Sequence, residues 1–299
     1  MGHALLIVPG PASKKLAEEV SRITGFKLAS IEHKLFPDGE SYFRYIEKIH
    51  GEDIAIIQTT YPEQDRKLLQ LFLLSKTAKE AGCNNIIAII PYLAYSRQDK
   101  AFKDGEAISI KIILNILKTC GIDEIITINT HSPWIFKEID IKAKDLSAIP
   151  YLSKYLLSLK LNKPIIFSPG KKGYLMSKEA ANIIGCDFSS LESKRNIDTG
   201  EVEVEIENEE NIKHRDVIII DDIISTGGTI LSIIKKMLNF KPNRIIVSCI
   251  HPLLINNADK KILEAGAETI IATNTIESIY SKVSVAPLIA NYLKNKLNV

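Results

Sequence analysis

A two-domain α/β fold, with mostly parallel sheets covered by helices, is what this 299-residue sequence predicts. Three observations predict it. Short β-branched apolar runs alternate with longer helical patterns. Glycine stops follow several of those helices, at Gly25, Gly82, Gly121, Gly185 and Gly266. The rhythm also runs twice, with the first round ending near Ile141, although no sequence repeat is visible. Domains of residues 1–145 and 146–299 follow from it, with no Gly/Ser-rich linker between them.

The predicted strands are Ala4–Val8, Ile54–Gln58, Ile86–Ile90, Ile125–Asn129, Ile165–Phe167, Val217–Ile220, Ile245–Ile250 and Thr269–Thr273. Each is an apolar run without polar alternation, as expected of strands covered on both faces. The predicted helices are Ser13–Ile23, Asp65–Ala81, Ile108–Thr119, Ile149–Leu159, Gly173–Ile184, Thr229–Leu238 and Asp259–Ala265. Ala286–Leu297 is an amphipathic helix able to pack on either domain. Glu201–Glu210 alternates acid with valine and reads as an exposed strand or hairpin.

Composition narrows the function. Hydrophobic content of 45% supports a full core, and a formal net charge of +2 gives no bulk attraction to nucleic acid. No apolar run approaches the length of a membrane span, and MGHALLIVPG lacks the basic start of a signal peptide. A soluble cytoplasmic protein is the expectation. Cys83, Cys120, Cys186 and Cys249 are scattered without a CxxC. They read as small buried apolar residues of a reducing compartment.

Val217–Ile230, VIIIDDIISTGGTI, is the most telling stretch. It is a strand, a loop and a helix start in fourteen residues. Glycines allow close backbone approach, hydroxyls donate, and a helix start supplies N–H groups at its positive end. The loop Ser225, Thr226, Gly227, Gly228 and Thr229 therefore suits a phosphate monoester. Asp221 and Asp222, at a strand's carboxyl end, suit the hydroxyls or the metal of a sugar phosphate.

Four other clusters stand out. In Phe36-Pro37-Asp38-Gly39-Glu40 a ring and two carboxylates could hold a base and ribose, but Pro-Asp-Gly is equally an ordinary turn. Pro91–Lys100 follows an apolar strand and carries Arg97, Gln98, Asp99 and Lys100, a set suited to phosphate. His131 follows another strand and suits a metal, a phosphate or a structural role. Lys194-Arg195 suits a lid over a transferring phosphoryl group, or an exposed basic turn.

Taken in order, FPDGESYFR, PYLAYSRQDK with GEAISIK, ITINTH, SPG, KR…DTGEVEVE and DDIISTGGT closely resemble the ribose-phosphate pyrophosphokinase family, archaeal members above all. FPDGE and YSRQD separate it from ordinary phosphoribosyltransferases and from regulators on that fold. The resemblance implies two phosphoribosyltransferase-like, Rossmann-like domains, with ATP on the first and ribose 5-phosphate on the second. It implies Mg²⁺-dependent transfer of the diphosphoryl group of ATP to the 1-hydroxyl of ribose 5-phosphate. By the same resemblance Phe36, Asp38, Gly39 and Glu40 hold adenosine from a neighbouring subunit. Arg97, Gln98 and Asp99 bind ATP, and His131 sits at the Mg²⁺ site. Asp221 and Asp222 take the ribose hydroxyls, Ser225–Thr229 the 5-phosphate, and Lys194 and Arg195 act in catalysis with His131. Assembly is expected to be a homo-oligomer built from dimers.

Three positions depart from the family pattern. Gly170 stands where Ser/Ala-Pro-Asp-x-Gly has its aspartate, and glycine offers no carboxylate to Mg²⁺. Ser193 stands at the lysine of Glu-Lys-x-Arg, leaving Lys194 one residue away. An expected arginine is replaced near Met176; the usually acidic position at Asn129 is a milder change. An active synthase is the main reading. The alternative is an impaired paralogue, a regulatory or structural partner in a hetero-oligomer with an active synthase.

Overall fold

The computed structural model describes residues 5–195, 202–205 and 212–298. The chain divides into two compact units: Met1–Leu146 with Val285–Val299, and Ser147–Ser284. In chain order the first contains β1 (Leu5–Pro9), α1 (Lys14–Thr24), β2 (Ile31–Leu35), β3 (Ser41–Tyr45), β4 (Asp53–Ile57), α2 (Gln64–Glu80), β5 (Asn85–Ile90), α3 (Ser109–Thr119), β6 (Glu124–Ile128) and β7 (Lys142–Leu146). Strands β1, β4, β5, β6 and β7 pair in that order, all parallel. Successive residues Ile54–Ile57 and Ile86–Ile90 are buried, so both faces are covered. Their carboxyl ends lie along one edge. Strands β2 and β3 form a separate antiparallel hairpin.

The second unit contains α4 (Ile149–Leu157), β8 (Ile165–Pro169), α5 (Gly170–Ile184), β9 (Asp187–Arg195), β10 (Val202–Glu205), β11 (Asp216–Ile224), α6 (Gly228–Leu238), β12 (Arg244–Pro252), α7 (Ala258–Glu264), β13 (Thr269–Thr273) and β14 (Ser281–Val283). The sheet order is β10-β9-β8-β11-β12-β13-β14, parallel except for the β10–β9 pair. The chain goes from β8 outward to β9, then returns to place β11 on the other side of β8. That reversal is the topological switch point where open α/β sheets hold ligands.

The last helix, α8 (Ala286–Leu297), packs on α1 in the first unit. Ala286, Ile289, Ala290 and Leu293 are its buried stripe. Tyr292 and Lys296 both bond to Glu124 at the start of β6. The sequence division at 145/146 left this helix in the second domain; here Ser147 opens the second unit, which ends at Ser284.

The predicted strands and helices are present with shifted ends, and the five glycine stops all have positive φ. Other features differ. The sequence reading gave no bounds for β2, β3, β7 or β14, which are short and carry charged or polar residues. Strand β11 continues to Ile224 because β12 is long enough to pair with it up to Pro252. Helix α5 starts at Gly170, not Gly173. Within Glu201–Glu210, Val202–Glu205 pairs with β9, while 201 and 206–210 lie outside the described residues, as does Ala4. Cys83 and Cys249 are buried, and Cys120 and Cys186 half-buried.

Candidate active site

The sugar-phosphate reading of Val217–Ile230 falls at the switch point. Asp221 and Asp222 are half-buried within the last part of β11, where Asp221 is in register with Cys249. They are four and three residues before the strand's end plus one, Ser225, where the predicted loop begins. Gly227 is the N-cap of α6 with φ +78°, a left-handed conformation that glycine adopts without steric cost. A Cβ there would also meet Ala258 and Ile262 of α7 at 3.3 Å. No side chain caps α6, and its first turn holds no acid. Its opening N–H groups therefore point, uncapped, from the positive end of an eleven-residue helix. That is the local chemistry of an anion site.

Across the switch point, β8 ends in Ser168-Pro169 and α5 opens on Gly170. Gly170 has φ +69°, with nothing within 4 Å of where a Cβ would stand. There is room for a larger side chain there, but the backbone conformation disfavours one.

Lys194 and Arg195 do not lie on a loop. Strand β9 runs through Arg195, with Lys194 opposite Glu203, Ser193 opposite Val204 and Arg195 opposite Val202. Antiparallel pairing with β10 turned the expected lid segment into a ladder.

In the first unit, the segments that follow β4, β5 and β6 share one sheet edge. The loop after β5 is built on hydroxyls from the loop after β4. Thr60 Oγ1 donates to Tyr92 O and accepts from Ala94 N–H, both at 2.7 Å. Thr59 Oγ1 accepts from Tyr92 N–H at 3.1 Å, and Thr59 N–H donates to Ser13 Oγ at 2.8 Å. This lattice leads to Tyr95, whose φ of +64° is a strained value for an aromatic residue. Tyr95 is held by a hydrogen bond from its hydroxyl to Asp65, which with partial burial raises its pKa. Gln98 N–H donates back to Tyr95 O at 2.9 Å, closing a turn that presents Arg97 and Gln98 outward.

Arg97 and Gln98 line a cleft of about 550 Å³ with Asp65, Arg66, Tyr92 and Tyr95. Gln98 Oε1 accepts from Ser109 Oγ at 2.5 Å. Asp99 Oδ2 accepts from Ser132 Oγ at 2.8 Å, which ties this loop to the residue after His131. His131 is half-buried at the carboxyl end of β6. Its predecessor Thr130 donates its N–H to Asp145 Oδ1 at 2.9 Å, and Thr127 Oγ1 donates to the same oxygen at 2.6 Å. Burial pushes the Asp145 carboxyl up to about 6, against the pull of those two bonds. The structure thus brings Arg97, Gln98, Asp99 and His131 onto one edge. Sequence reasoning missed Asp65, Arg66 and Asp145, and named the segment of Tyr95 without that residue; position after a strand was the signal available for Asp65, Arg66 and Tyr95.

Phe36–Glu40 does not share that edge. It is the turn of the β2–β3 hairpin, with Phe36 N–H bonded to Glu40 O and Gly39 N–H to Phe36 O, each at 2.8 Å. Asp38 Oδ1 accepts from Glu40 N–H at 3.1 Å, so its carboxylate helps make the turn. Phe36 is 39% exposed, with its ring edge-on to Tyr42 and the Lys34 ammonium 5.4 Å from its centre. Opposite faces of the hairpin differ. His33 stacks on Phe43 and contacts buried Gln70 of α2, and burial beside Lys67 lowers its pKa.

Two family models cover the chain. The N-terminal domain of ribose phosphate pyrophosphokinase matches residues 5–121, and the phosphoribosyl transferase domain matches residues 139–284. A ribose-phosphate pyrophosphokinase of Sulfolobus acidocaldarius is 37% identical over 281 residues, covering 94% of this chain and 96% of the relative. The chain belongs to the ribose-phosphate pyrophosphokinase family. The relative from Methanothermobacter thermautotrophicus is also 37% identical, over 97% of this chain and 100% of its own. A crystal structure of phosphoribosylpyrophosphate synthetase from Mycobacterium smegmatis shares the fold. Its TM-score is 0.87 at 24% identity, covering 98% of this chain and 99% of that one. Among the described residues no helix is long and apolar enough to cross a membrane.

Proposed function

We propose that this chain is a ribose-phosphate diphosphokinase, producing phosphoribosyl pyrophosphate and AMP from ATP and ribose 5-phosphate. One observation carries the reading: an uncapped helix start on left-handed Gly227, five residues after Asp222, at the switch point of a parallel sheet. The relatives' shared name supports it. The N–H groups opening α6 take the 5-phosphate, and the carboxylates of Asp221 and Asp222 accept hydrogen bonds from the ribose hydroxyls. This orients the 1-hydroxyl. Its oxygen bonds to the β-phosphorus of ATP as the bond from that phosphorus to the α-phosphate oxygen breaks; the electron pair leaves with AMP, and the hydroxyl proton is released to water.

On the first unit, Arg97 meets phosphate oxygens as a planar fork, while Gln98 and Asp99 are set in place by Ser109 and Ser132. Phe36, Asp38, Gly39 and Glu40 serve adenosine bound to a neighbouring subunit of a dimer-based homo-oligomer. Lys194 and Arg195 supply cationic charge to the transferring group. A cytoplasmic location belongs to the same reading.

Among the described residues no three His, Cys, Asp or Glu side chains gather as a metal cage. Mg²⁺ needs no such cage, because it commonly takes one or two protein groups and completes its shell with phosphate oxygens and water. In that mode His131 would lie beside the metal-bound nucleotide rather than close a protein cage. When bound, the ion supplies charge neutralisation on the phosphate oxygens.

The test is AMP release from ATP, Mg²⁺ and ribose 5-phosphate by the purified chain. AMP formed in proportion to enzyme and dependent on the sugar is expected. No AMP at high enzyme concentration, with ribose 5-phosphate still bound, would overturn the active reading.

A further inference from the structure

We propose that the buried His251–Thr275 pair positions the Ser225–Thr229 loop, through the left-handed turn at Leu254, and so sets the affinity for ribose 5-phosphate. The inference rests on the reading of that loop as the sugar-phosphate site. It concerns residues that belong neither to the loop nor to the aspartate pair.

The segment after β12 is a brace. Leu254 N–H donates to Ile224 O at 3.0 Å and Ile255 N–H to Ser225 O at 3.1 Å. These two bonds fasten it to the last residue of β11 and the first of the loop. The brace then feeds α7, whose Ala258 and Ile262 face Gly227 of the same loop. The loop is thus fixed from one side by backbone bonds and from another by a helix.

The brace is itself strained. Leu254, Asn256 and Asn257 have φ of +50°, +57° and +56°. Asparagine tolerates that region; leucine does so only where its surroundings over-determine it. The restraint comes from the end of β13. His251, 1% exposed, has Nδ1 at 2.9 Å from Thr275 Oγ1, and Leu253 N–H donates to His251 O at 3.1 Å. Thr275 Oγ1 also donates to Ile250 O at 2.8 Å, as Thr273 Oγ1 does at 2.7 Å. Ile250 and His251 are therefore pinned three to five residues before Leu254 and Ile255 pin the loop. A phosphate cradle works only when its N–H groups are held within a fraction of an ångström. The Thr275 hydroxyl, two residues past the end of β13, is a polar contact that holds His251, and His251 and Thr275 are positioning residues.

Thr275→Val removes the hydroxyl and keeps the shape; Thr275→Ser keeps the hydroxyl. Steady-state KM for each substrate is measured, with calorimetric titration of ribose 5-phosphate. Thr275→Val removes the hydroxyl's contacts to both His251 Nδ1 and Ile250 O and is expected to raise KM and Kd for ribose 5-phosphate about tenfold. KM for ATP stays near that of the unaltered protein, and Thr275→Ser restores the sugar-phosphate values. An unchanged KM for ribose 5-phosphate in Thr275→Val, or an equal rise for both substrates, overturns the proposal. If Thr275→Val does not fold, His251→Asn, which keeps a donor near Nδ1, is compared with His251→Leu. Equal ribose 5-phosphate affinity in these two refutes the brace. Failure of the unaltered protein to bind ribose 5-phosphate at all refutes the functional reading instead.

Discussion

Replacing Asp145 by asparagine should stabilise the folded protein at neutral pH, although it removes a carboxylate that accepts two hydrogen bonds. Both bonds, from Thr127 Oγ1 and Thr130 N–H, go to one oxygen, which asparagine retains. What it loses is a charge that is costly to bury. Burial raises the Asp145 pKa from 3.8 to about 6. Because the folded state holds the proton more tightly, it binds more protons than the unfolded chain between those pH values. Stability therefore falls as pH rises through that window and is level above it. The gap from 3.8 to about 6, at about 1.4 kcal/mol per pH unit, makes an upper figure of about 3 kcal/mol. Asp145→Ala acts differently, since it strands the Thr130 N–H and the fully buried Thr127 hydroxyl, at about 1–3 kcal/mol.

Urea unfolding at pH 4 and pH 7.5 separates the two effects. Asp145→Asn should exceed the unaltered protein by up to about 3 kcal/mol at pH 7.5, and the advantage should shrink at pH 4. Asp145→Ala should be less stable at pH 4, where the charge cost is small. If Asp145→Asn is destabilised equally at both pH values, the charge is not costly where it sits and the reasoning fails. If it instead gains stability but loses AMP formation, the carboxylate serves the adjacent His131 loop and its burial is a cost retained for function.

Four other expectations follow from the same structure. Asp216 is fully buried and accepts from Asn162 N–H at 2.7 Å, Asn243 Nδ2 at 2.6 Å and Arg244 Nε at 3.0 Å; Asp216→Ala should cost roughly 1–3 kcal/mol in urea unfolding by stranding those donors, while Arg244 keeps its ion pair to Glu268. The bonds that depress the Asp216 pKa are worth most above 3.8 and are lost on acidification below it, so the variant's deficit should narrow toward pH 2. Gly227→Ala, at φ +78°, should cost about 1–2 kcal/mol and raise KM for ribose 5-phosphate more than KM for ATP, a split that steady-state kinetics resolves. Arg97→Ala should raise KM for ATP about tenfold or more, at about 1.5–3 kcal/mol for a hydrogen bond to a charged group, while calorimetric ribose 5-phosphate binding is unchanged. Gly170→Asp with Ser193→Lys should raise turnover if those departures limit it; an unchanged rate would mean that the matching positions lie elsewhere.

Much of the fold was legible because both sheets are covered on two faces. Ile86–Ile90 and Val217–Ile220 are apolar at every position, and such short runs are what a strand buried on both faces needs. The glycine stops were legible for a different reason, since a helix end needs a left-handed residue and glycine provides it at least cost. Strands whose partners carry the information were not. Lys142–Leu146, KAKDL, becomes β7 only because β6 offers it a ladder, and the two outward lysines hide that from any local pattern. The same holds for Lys194 and Arg195. Their strand depends on pairing with Val202–Glu205, so a reading of the basic dipeptide by itself gave a loop.

The site divides along the same line. Groups that would touch a ligand were legible from local chemistry, because a Gly-Gly turn after two aspartates, or Arg-Gln-Asp after a strand, already has the composition of a phosphate site. The groups that hold them in place were not, because their partners are distant in the chain: Thr60 with Tyr92, Asp65 with Tyr95, Ser132 with Asp99, Thr127 and Thr130 with Asp145. These are ordinary polar residues whose role is set only when parallel strands bring several loops to one edge. The departures at Gly170 and Ser193 therefore take on a definite meaning. Gly170 has space for a carboxylate but a backbone conformation that favours glycine, while Ser193 is paired with Val204 in the β9–β10 ladder. Restoring the first is a matter of conformational strain and restoring the second of register. Gly170→Asp should thus lower stability by about 1–2 kcal/mol, the cost of a left-handed non-glycine residue, in urea unfolding; an unchanged midpoint would refute the strain at φ +69°.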